Sequence, residues 1–278
     1  MDRRRFLKTA AGLFVPLAPA IIRPDSAWAQ MSGGAMFPGP GVKAYGAAST
    51  GLRTSCVAFF ELNNSLADST GTVTDLTNNN SVTFTTDTPG ATGEQCAVFA
   101  SASSQSLSHA NNSNLAIGGA DFSYSIWVKG TGSLNLDGQG IMNQRTSGFP
   151  QNGWSLGTQF TSSNIMRSEG WSGGSSAPAD SSATISSNTW YLVVWTYDAT
   201  TRVGSQSLNN SAFVNASALG SNPSSETGQF NIGVNVALND FITGRVCRVG
   251  FWKSRKLNTT DVGLLWNSGG GLTWAGMA

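Results

Sequence analysis

The chain has 278 residues, of which 16 are basic and 15 acidic, and it contains one histidine and three cysteines. Charged residues make up only 11% of it, whereas about 25% is usual, so Ser, Thr, Asn and Gly must supply most of the surface polarity. A nearly neutral chain has no electrostatic footprint for nucleic acid. No C-x-x-C pair occurs, which excludes a cysteine zinc site and a thioredoxin-like motif.

Residues 1–29 have the pattern of an export signal. Arg3-Arg4-Arg5 and then Phe6-Leu7-Lys8 precede an apolar run over 9–22, and Ala27-Trp28-Ala29 fits a cleavage site. The Arg-Arg-x-Phe-Leu-Lys order resembles the twin-arginine signal of bacteria. The apolar run contains two prolines and is shorter than the roughly 20 residues that a membrane-spanning helix needs. We therefore predict export to the periplasm or the exterior, cleavage near residue 29, and no transmembrane segment afterwards.

The rest of the chain divides into a linker and one folded domain. Residues 30–51 are rich in Gly, Pro and Ala and predict a linker. Over 52–278, short runs of β-branched and aromatic residues recur between turn-forming clusters, which is typical of an all-β sandwich or barrel. A capped helical turn is predicted near the C-terminus, over 260–266. The predicted strands are Cys56–Leu62, Ala97–Phe99, Phe122–Lys129, Gly153–Phe160, Trp190–Tyr197, Arg202–Leu208, Phe230–Val236 and Gly244–Trp252.

Several of these runs carry motifs in a fixed order. They are Leu66-x-Asp68-Ser69-x-Gly71, the strand Phe122–Lys129, the run Trp190–Asp198 with its Thr-Tyr-Asp end, and the closing segment Phe241–Leu265. In this order, across about 52–274, the chain resembles the laminin G-like members of the concanavalin A-like lectin superfamily. The resemblance implies two packed antiparallel sheets in a jelly roll. Because the superfamily includes lectins, adhesive modules and some glycosidases, the function must be read from the site.

The resemblance also implies a calcium site. Many members hold Ca²⁺ with loop carboxylates, amides and carbonyls, and the candidate ligands here are Asp68, Asn78 and Asn79. The closing strand departs from the family, because Cys247-Arg248 stands where relatives have Asp-Glu. The alternative for Asp68 is a turn held by side-chain-to-backbone hydrogen bonds.

Two tryptophans are candidates for a carbohydrate-binding platform, because the apolar face of a sugar ring stacks on an aromatic ring. Trp154 and Trp171 lie next to glycines near predicted strand or loop edges, with Asn152 and Arg167 as polar neighbours. The tryptophans inside the strand patterns are expected in the core. Core or edge packing is also the alternative for Trp154 and Trp171.

The sequence does not predict catalysis. Glycosidases of this superfamily use a strand with closely spaced carboxylates, and none of the four Glu after the signal has a carboxylate two residues away. A pair built from distant loops stays open. Gly-x-Ser-x-Gly occurs at 153–157 and 170–174, but no helical pattern follows either serine, and His109 is the only candidate base.

The cysteines leave two alternatives. Counting alternation from neighbouring apolar residues places Cys56 and Cys247 on the inward face of their strands, and the resemblance implies that the first and closing strands are adjacent. A Cys56–Cys247 disulfide is therefore preferred over Cys96–Cys247. Buried free thiols remain the other alternative.

The interpretation that follows is an exported, non-catalytic module that recognises carbohydrate or polysaccharide outside the cytoplasm. The alternative is a structural or adhesive envelope protein that binds another surface protein or itself, because the surface is weakly charged and rich in Ser, Thr and Asn. A glycosidase of the same superfamily is the second alternative.

Overall fold

The computed structural model describes residues 51–90, 93–131, 140–146, 150–158, 164–223 and 228–278. The predicted signal peptide and the predicted linker up to residue 50 lie outside these ranges. Within them, no helix is long and apolar enough to span a membrane.

Fifteen strands and one α-helix follow one another along the described chain. In chain order the strands are β1 (Cys56–Phe60), β2 (Thr77–Asn79), β3 (Thr83–Thr85), β4 (Cys96–Phe99), β5 (Ser106–His109), β6 (Phe122–Gly130), β7 (Gly140–Arg145), β8 (Gly153–Thr158), β9 (Met166–Ser172), β10 (Ser175–Asp180), β11 (Tyr191–Asp198), β12 (Val203–Leu208), β13 (Val214–Asn215), β14 (Phe230–Ile232) and β15 (Gly244–Lys253). The helix α1 is Thr259–Trp266. Each predicted strand overlaps an observed one, and the predicted helical turn is α1.

The strands form two antiparallel sheets. Sheet I has eight strands in the order β13-β12-β11-β6-β15-β4-β3, with β1 also paired to β15, and sheet II has seven in the order β10-β9-β8-β7-β14-β5-β2. Most neighbours within a sheet are distant in sequence, as in a jelly roll. The predicted two-sheet antiparallel β-sandwich is confirmed.

An aromatic core lies between the two sheets, because the inward positions of both are apolar. Trp154 of sheet II stacks on Tyr124 and Phe251 of sheet I, with ring centroids 4.6 and 5.9 Å apart. Phe230 packs against the same indole at 5.9 Å. Full burial of one large apolar side chain contributes about 1.5–3 kcal/mol, so these rings hold the sheets together.

The outer face of sheet I is also apolar, and the C-terminal segment 257–278 covers it. Trp127 of β6 stacks on Trp266 of α1 with ring centroids 5.2 Å apart. Asn258 begins the helix with a capping box, in which its side chain and that of Asp261 bond each other's backbone N–H groups. The buried members of this second cluster are Leu52, Cys56, Phe59, Cys96, Trp127, Leu192, Val194, Cys247, Trp252, Leu257, Val262, Leu265 and Met277.

Arg248 connects the C-terminal segment to sheet I. It has a positive φ of 51° at a register shift of β15, and its side chain is 3% exposed. One terminal nitrogen donates to the carbonyl oxygen of Gly270 at 2.6 Å, and the other pairs with Glu94. Gly271, at φ +69°, passes so close that an added Cβ would lie 2.0 Å from the guanidinium, which only glycine permits.

The expected Cys56–Cys247 disulfide is wrong, because all three cysteines are free and buried. Cys56 lies opposite Trp252 on β15, five residues from Cys247. Five extended residues span about 16 Å, whereas disulfide-linked Cα atoms lie about 4.4–6.8 Å apart. Both thiols also face the C-terminal segment rather than the inter-sheet core. Register shifts after Cys56 and Cys247 reverse the alternation that the sequence indicates.

Candidate functional site

The outer face of sheet II has a groove across β7, β8 and β9, with a cavity volume of about 340 Å³. Its floor is β8, where Gly153, Ser155 and Gly157 alternate outward while Trp154 and Leu156 turn into the core. Because glycine has no side chain and that of serine is small, a depression remains on β8 between β7 and β9. The Gly-x-Ser-x-Gly pattern at 153–157 is therefore the floor of a groove, not a nucleophile elbow.

The strand register sets the walls of this sheet II groove. Arg145 of β7 and Trp171 of β9 both lie opposite Gly153, one on each side. Because Gly153 has no side chain, the Arg145 guanidinium reaches across it and lies 4.1 Å from the centroid of the Trp171 ring. This distance is that of a cation–π contact.

The same strand register places the residues on either side of Ser155 and Gly157. Asn143 and Glu169 flank Ser155, and Gly140 and Arg167 flank Gly157. An added Cβ on Gly140 would lie 2.2 Å from the Asn235 backbone. The absence of that Cβ allows the segment after β14 to cross β7 and close one end of the groove, where Asn235 lines it.

The charged groups of the groove differ in how they are paired. Arg167 donates to both carboxylate oxygens of Asp180, from Nε at 2.6 Å and from a terminal nitrogen at 2.8 Å. Glu169 accepts hydrogen bonds from Trp171 Nε1 at 3.1 Å and from Ser155 at 3.5 Å, and it lies 3.9 Å from Arg167. Burial raises the pKa of Glu169, although the positive charges of Arg167 and Arg145 oppose this.

Arg145 has no such partner. Its Nε is buried without a hydrogen-bond partner, and it forms no ion pair with any residue that the structure describes. Burial lowers the pKa of its guanidinium, and the charge of Glu169 acts in the opposite direction. The groove thus contains a half-buried guanidinium that lies over an indole and forms no ion pair with a described residue.

The residues predicted to bind carbohydrate lie in different parts of the structure. Trp171 and Arg167 line the groove. The proposed role of Trp154 in stacking on a sugar is wrong, since its ring is 0% exposed in the inter-sheet core. Asn152 accepts a hydrogen bond from the Gly173 N–H at 3.0 Å and holds the turn after β9, beside the groove rather than in it. Arg145 and Glu169 were not among the predicted ligand-binding residues.

The predicted calcium ligands do not form a cation site. Both carboxylate oxygens of Asp68 accept hydrogen bonds, from the backbone N–H of Phe59, Thr70, Thr72 and Val73 and from the Thr70 hydroxyl, at 2.6–3.0 Å. The turn alternative explains this residue.

The side chains of Asn78 and Asn79 are also hydrogen-bonded to other protein groups. Asn78 bonds the Val82 backbone in both directions, and Asn79, next in β2, bonds Ser106 and Ser108. Arg248 of the closing strand β15, where the resemblance implies an acidic residue, forms an ion pair with Glu94. These side chains do not fit a Ca²⁺ site, and no cluster of three or more His, Cys, Asp or Glu occurs among the described residues.

His109 does not serve either serine of the Gly-x-Ser-x-Gly patterns. Its ring is buried on β5, where Nε2 bonds the Thr74 hydroxyl at 2.9 Å. Ser155 lies on β8 and Ser172 on β9, each within a strand rather than at a strand-to-helix turn. The serine-hydrolase arrangement is not formed.

Comparison with known families identifies the chain. Residues 101–263 match the laminin G-type family model of the concanavalin A-like lectin/glucanases superfamily. The chain belongs to this family, and the resemblance noted in its sequence is confirmed. No curated protein sequence matches the chain.

Solved structures with the same fold are distant in sequence. Domain 4 of AbnA, an extracellular GH43 arabinanase from Geobacillus stearothermophilus solved with arabinotriose, is 15% identical, with a TM-score of 0.61 over 75% of this chain and 96% of that one. The binding domain of Paraclostridial Mosquitocidal Protein 1 is 16% identical, with a TM-score of 0.62 over 78% and 53%.

A third similar structure is that of botulinum neurotoxin type C, whose cell entry depends on two ganglioside molecules. It is 16% identical, with a TM-score of 0.57 over 77% of this chain and 51% of that chain. The present chain spans about half the length of the two toxin chains. At these identities the likeness shows the fold alone.

Proposed function

We propose that the sheet II groove binds carbohydrate and that the chain is a non-catalytic binding module. The observation that carries this proposal is the composition of the groove. Ser155 and Gly157 of the floor lie beside an indole wall, and a carboxylate, three amides and two guanidinium groups line the same cavity. A volume of about 340 Å³ is within the range of small-ligand sites. Indole surface suits the apolar parts of a sugar ring, and the polar groups suit its hydroxyls.

The known ligands of similar structures support this proposal. The arabinanase domain was solved with arabinotriose, and the type C neurotoxin depends on gangliosides. Both ligands contain sugars. The argument for this chain nevertheless rests on its own groove, since a fold shared at such identities does not transfer a ligand.

The carboxylates of the groove favour binding over hydrolysis. Glycosidases of the usual kind need two carboxyl groups on either side of the scissile bond. Among the described residues that line the cavity, Glu169 is the only carboxylate. The nearby Asp180 is held by both nitrogens that Arg167 directs at it.

The proposal also includes export of the module from the cytoplasm. The pattern of residues 1–29 supports a twin-arginine signal, and we assign the mature module to the periplasm or the exterior. Its partner is then a glycan outside the cytoplasm. The structural or adhesive alternative predicts self-association or binding to a surface protein instead.

The test is a polysaccharide binding screen of residues 30–278 with two tryptophan variants. Trp171→Ala removes the groove wall and should abolish binding. Trp274→Ala is the matched control, since Trp274 also carries an arginine, Arg53, at 4.6 Å over its ring, but packs against the apolar cluster of sheet I. Equal loss in both variants, or none in Trp171→Ala, contradicts the site. Self-association without glycan binding favours the adhesive alternative.

A further inference from the structure

The arginines of the chain differ in their partners. Arg167, Arg245, Arg248 and Arg255 each form an ion pair with a carboxylate. Arg53 and Arg202 are exposed and donate to backbone carbonyls. Among the described residues, Arg145 is the one partly buried arginine without a carboxylate partner.

This isolation has a physical cost, because a guanidinium loses hydration on burial and is usually compensated by an anion. The Trp171 ring supplies part of the compensation, since the guanidinium lies 4.1 Å from its centroid. Arg145 thus lies against Trp171 at the groove and forms no ion pair with a described residue. A planar guanidinium presents two parallel N–H donors, the arrangement that matches a carboxylate.

The other charges of the groove are already engaged. Asp180 neutralises Arg167 through two hydrogen bonds. Glu169 is surrounded by Trp171 Nε1, the Ser155 hydroxyl and Arg167. The two arginines and the two carboxylates balance in number, but both carboxylates lie against Arg167, so Arg145 is the guanidinium whose N–H donors no described carboxylate uses.

We propose that the natural ligand of the groove is an acidic glycan, a polysaccharide of uronic acid residues whose carboxylate is bound by Arg145. This inference rests on the proposed carbohydrate-binding function and names its substrate class. Trp171 is a positioning residue for Arg145 as well as a wall of the groove. The polar groups around Ser155 face the hydroxyls of the same sugar.

The experiment compares one polymer with and without its charge. Polygalacturonate and its carboxyl-reduced derivative, in which each carboxylate becomes a hydroxymethyl group, are titrated against residues 30–278 by calorimetry at low salt. We expect polygalacturonate to bind about tenfold more tightly or better, as befits one charge-assisted pair. Arg145→Gln should abolish this preference. Arg53→Gln, which alters the other arginine that lies over a tryptophan, should retain the preference.

The outcomes separate the two proposals. Equal affinity for both polymers, or a preference that survives Arg145→Gln, overturns the acidic ligand and leaves carbohydrate binding standing. The acidic ligand is also overturned, and carbohydrate binding stands, if neutral glycans bind in the screen and polygalacturonate does not. Failure to bind any glycan removes both proposals. Dextran sulfate that competes as well as polygalacturonate would show recognition of charge alone, and the uronate assignment would be wrong.

Discussion

The outer faces of the two sheets contain the same kind of strand but different side chains. On sheet I, the outward positions of β6, β11 and β15 include Trp127, Leu192 and Trp252, and the C-terminal segment buries them. On sheet II, the outward positions of β7, β8 and β9 are charged, polar or glycine apart from Trp171, and most of them line an open groove. Sheet I is thus apolar on both faces, and sheet II on one.

The difference separates stability from binding. A tryptophan or an arginine on the covered face is part of a second core, so its loss should affect folding. The same residue type on the groove face has few packing partners, so its loss should affect the ligand. Each pair of variants below compares one residue type across the two faces.

The largest contrast is expected between two tryptophans. Trp127→Ala leaves a cavity under α1, where the ring is 2% exposed and stacks on Trp266, and should lower the free energy of unfolding by about 3–5 kcal/mol. Trp171→Ala removes a partly exposed ring and should cost about 1 kcal/mol or less. Urea denaturation followed by circular dichroism measures both. Equal losses would mean that the groove face is also structural.

A second contrast concerns two arginines. Arg248→Gln leaves Glu94 without its partner and frees the Gly270 carbonyl, which should destabilise the fold by about 2–3 kcal/mol, less than for a fully buried pair because Glu94 is partly exposed. Arg145→Gln removes a charge that forms no ion pair with a described residue and should change the stability by about 0.5 kcal/mol or less, in either direction. Thermal denaturation of the two variants gives the answer. A strongly destabilised Arg145→Gln would show that this charge has a structural partner.

A smaller effect distinguishes a hydrogen-bonded turn from a metal site beside sheet I. Asp68→Asn keeps the shape of the side chain but cannot accept all five hydrogen bonds, so it should lower the free energy of unfolding by about 1–2 kcal/mol. The melting temperature of the parent chain should be the same with calcium and with EDTA. A calcium-dependent melting temperature that Asp68→Asn abolishes would restore Asp68 as a ligand.

The sequence predicts the fold well because strand alternation and turn residues are local signals. The turn at Asp198 is an example of such a local signal, since Asp is a favoured turn residue and its carboxylate accepts the Thr200 and Thr201 N–H groups at 2.9 Å. Trp171 was predicted from its position next to a glycine, with Arg167 as a polar neighbour, and the same criterion also chose Trp154, which lies in the core. The register shift at Arg248 has no such signal, and it is what turns Cys247 toward the C-terminal segment.

The groove itself is only partly readable from the sequence. Alternation within Gly153–Gly157 indicates that the glycines and the serine share one face and that Trp154 lies on the other, and this signal was available. Arg145 could not be found in this way. Its position over Trp171 depends on both residues pairing with Gly153, and pairing across three strands is a property of the folded sheet.

The last and smallest contrast lies within the groove. Glu169 faces Arg145 from β7, Arg167 on its own strand and Asp180 on β10, which Arg167 neutralises. Because burial raises its pKa, the folded chain binds more protons than the unfolded chain between the usual and the raised value. Stability should therefore fall as the pH rises through that interval, and Glu169→Gln should flatten this dependence.

The same variant also changes binding, since it removes a negative charge beside Arg145. Affinity for polygalacturonate should rise about threefold at neutral pH, a modest effect because solvent screens the groove, while the carboxyl-reduced polymer should bind as before and serves as the control. Parent and variant should converge as the pH falls and Glu169 becomes protonated. If both polymers gained affinity equally, the negative charge of Glu169 would not act on the carboxylates of the ligand, and the electrostatic account of the groove would be contradicted.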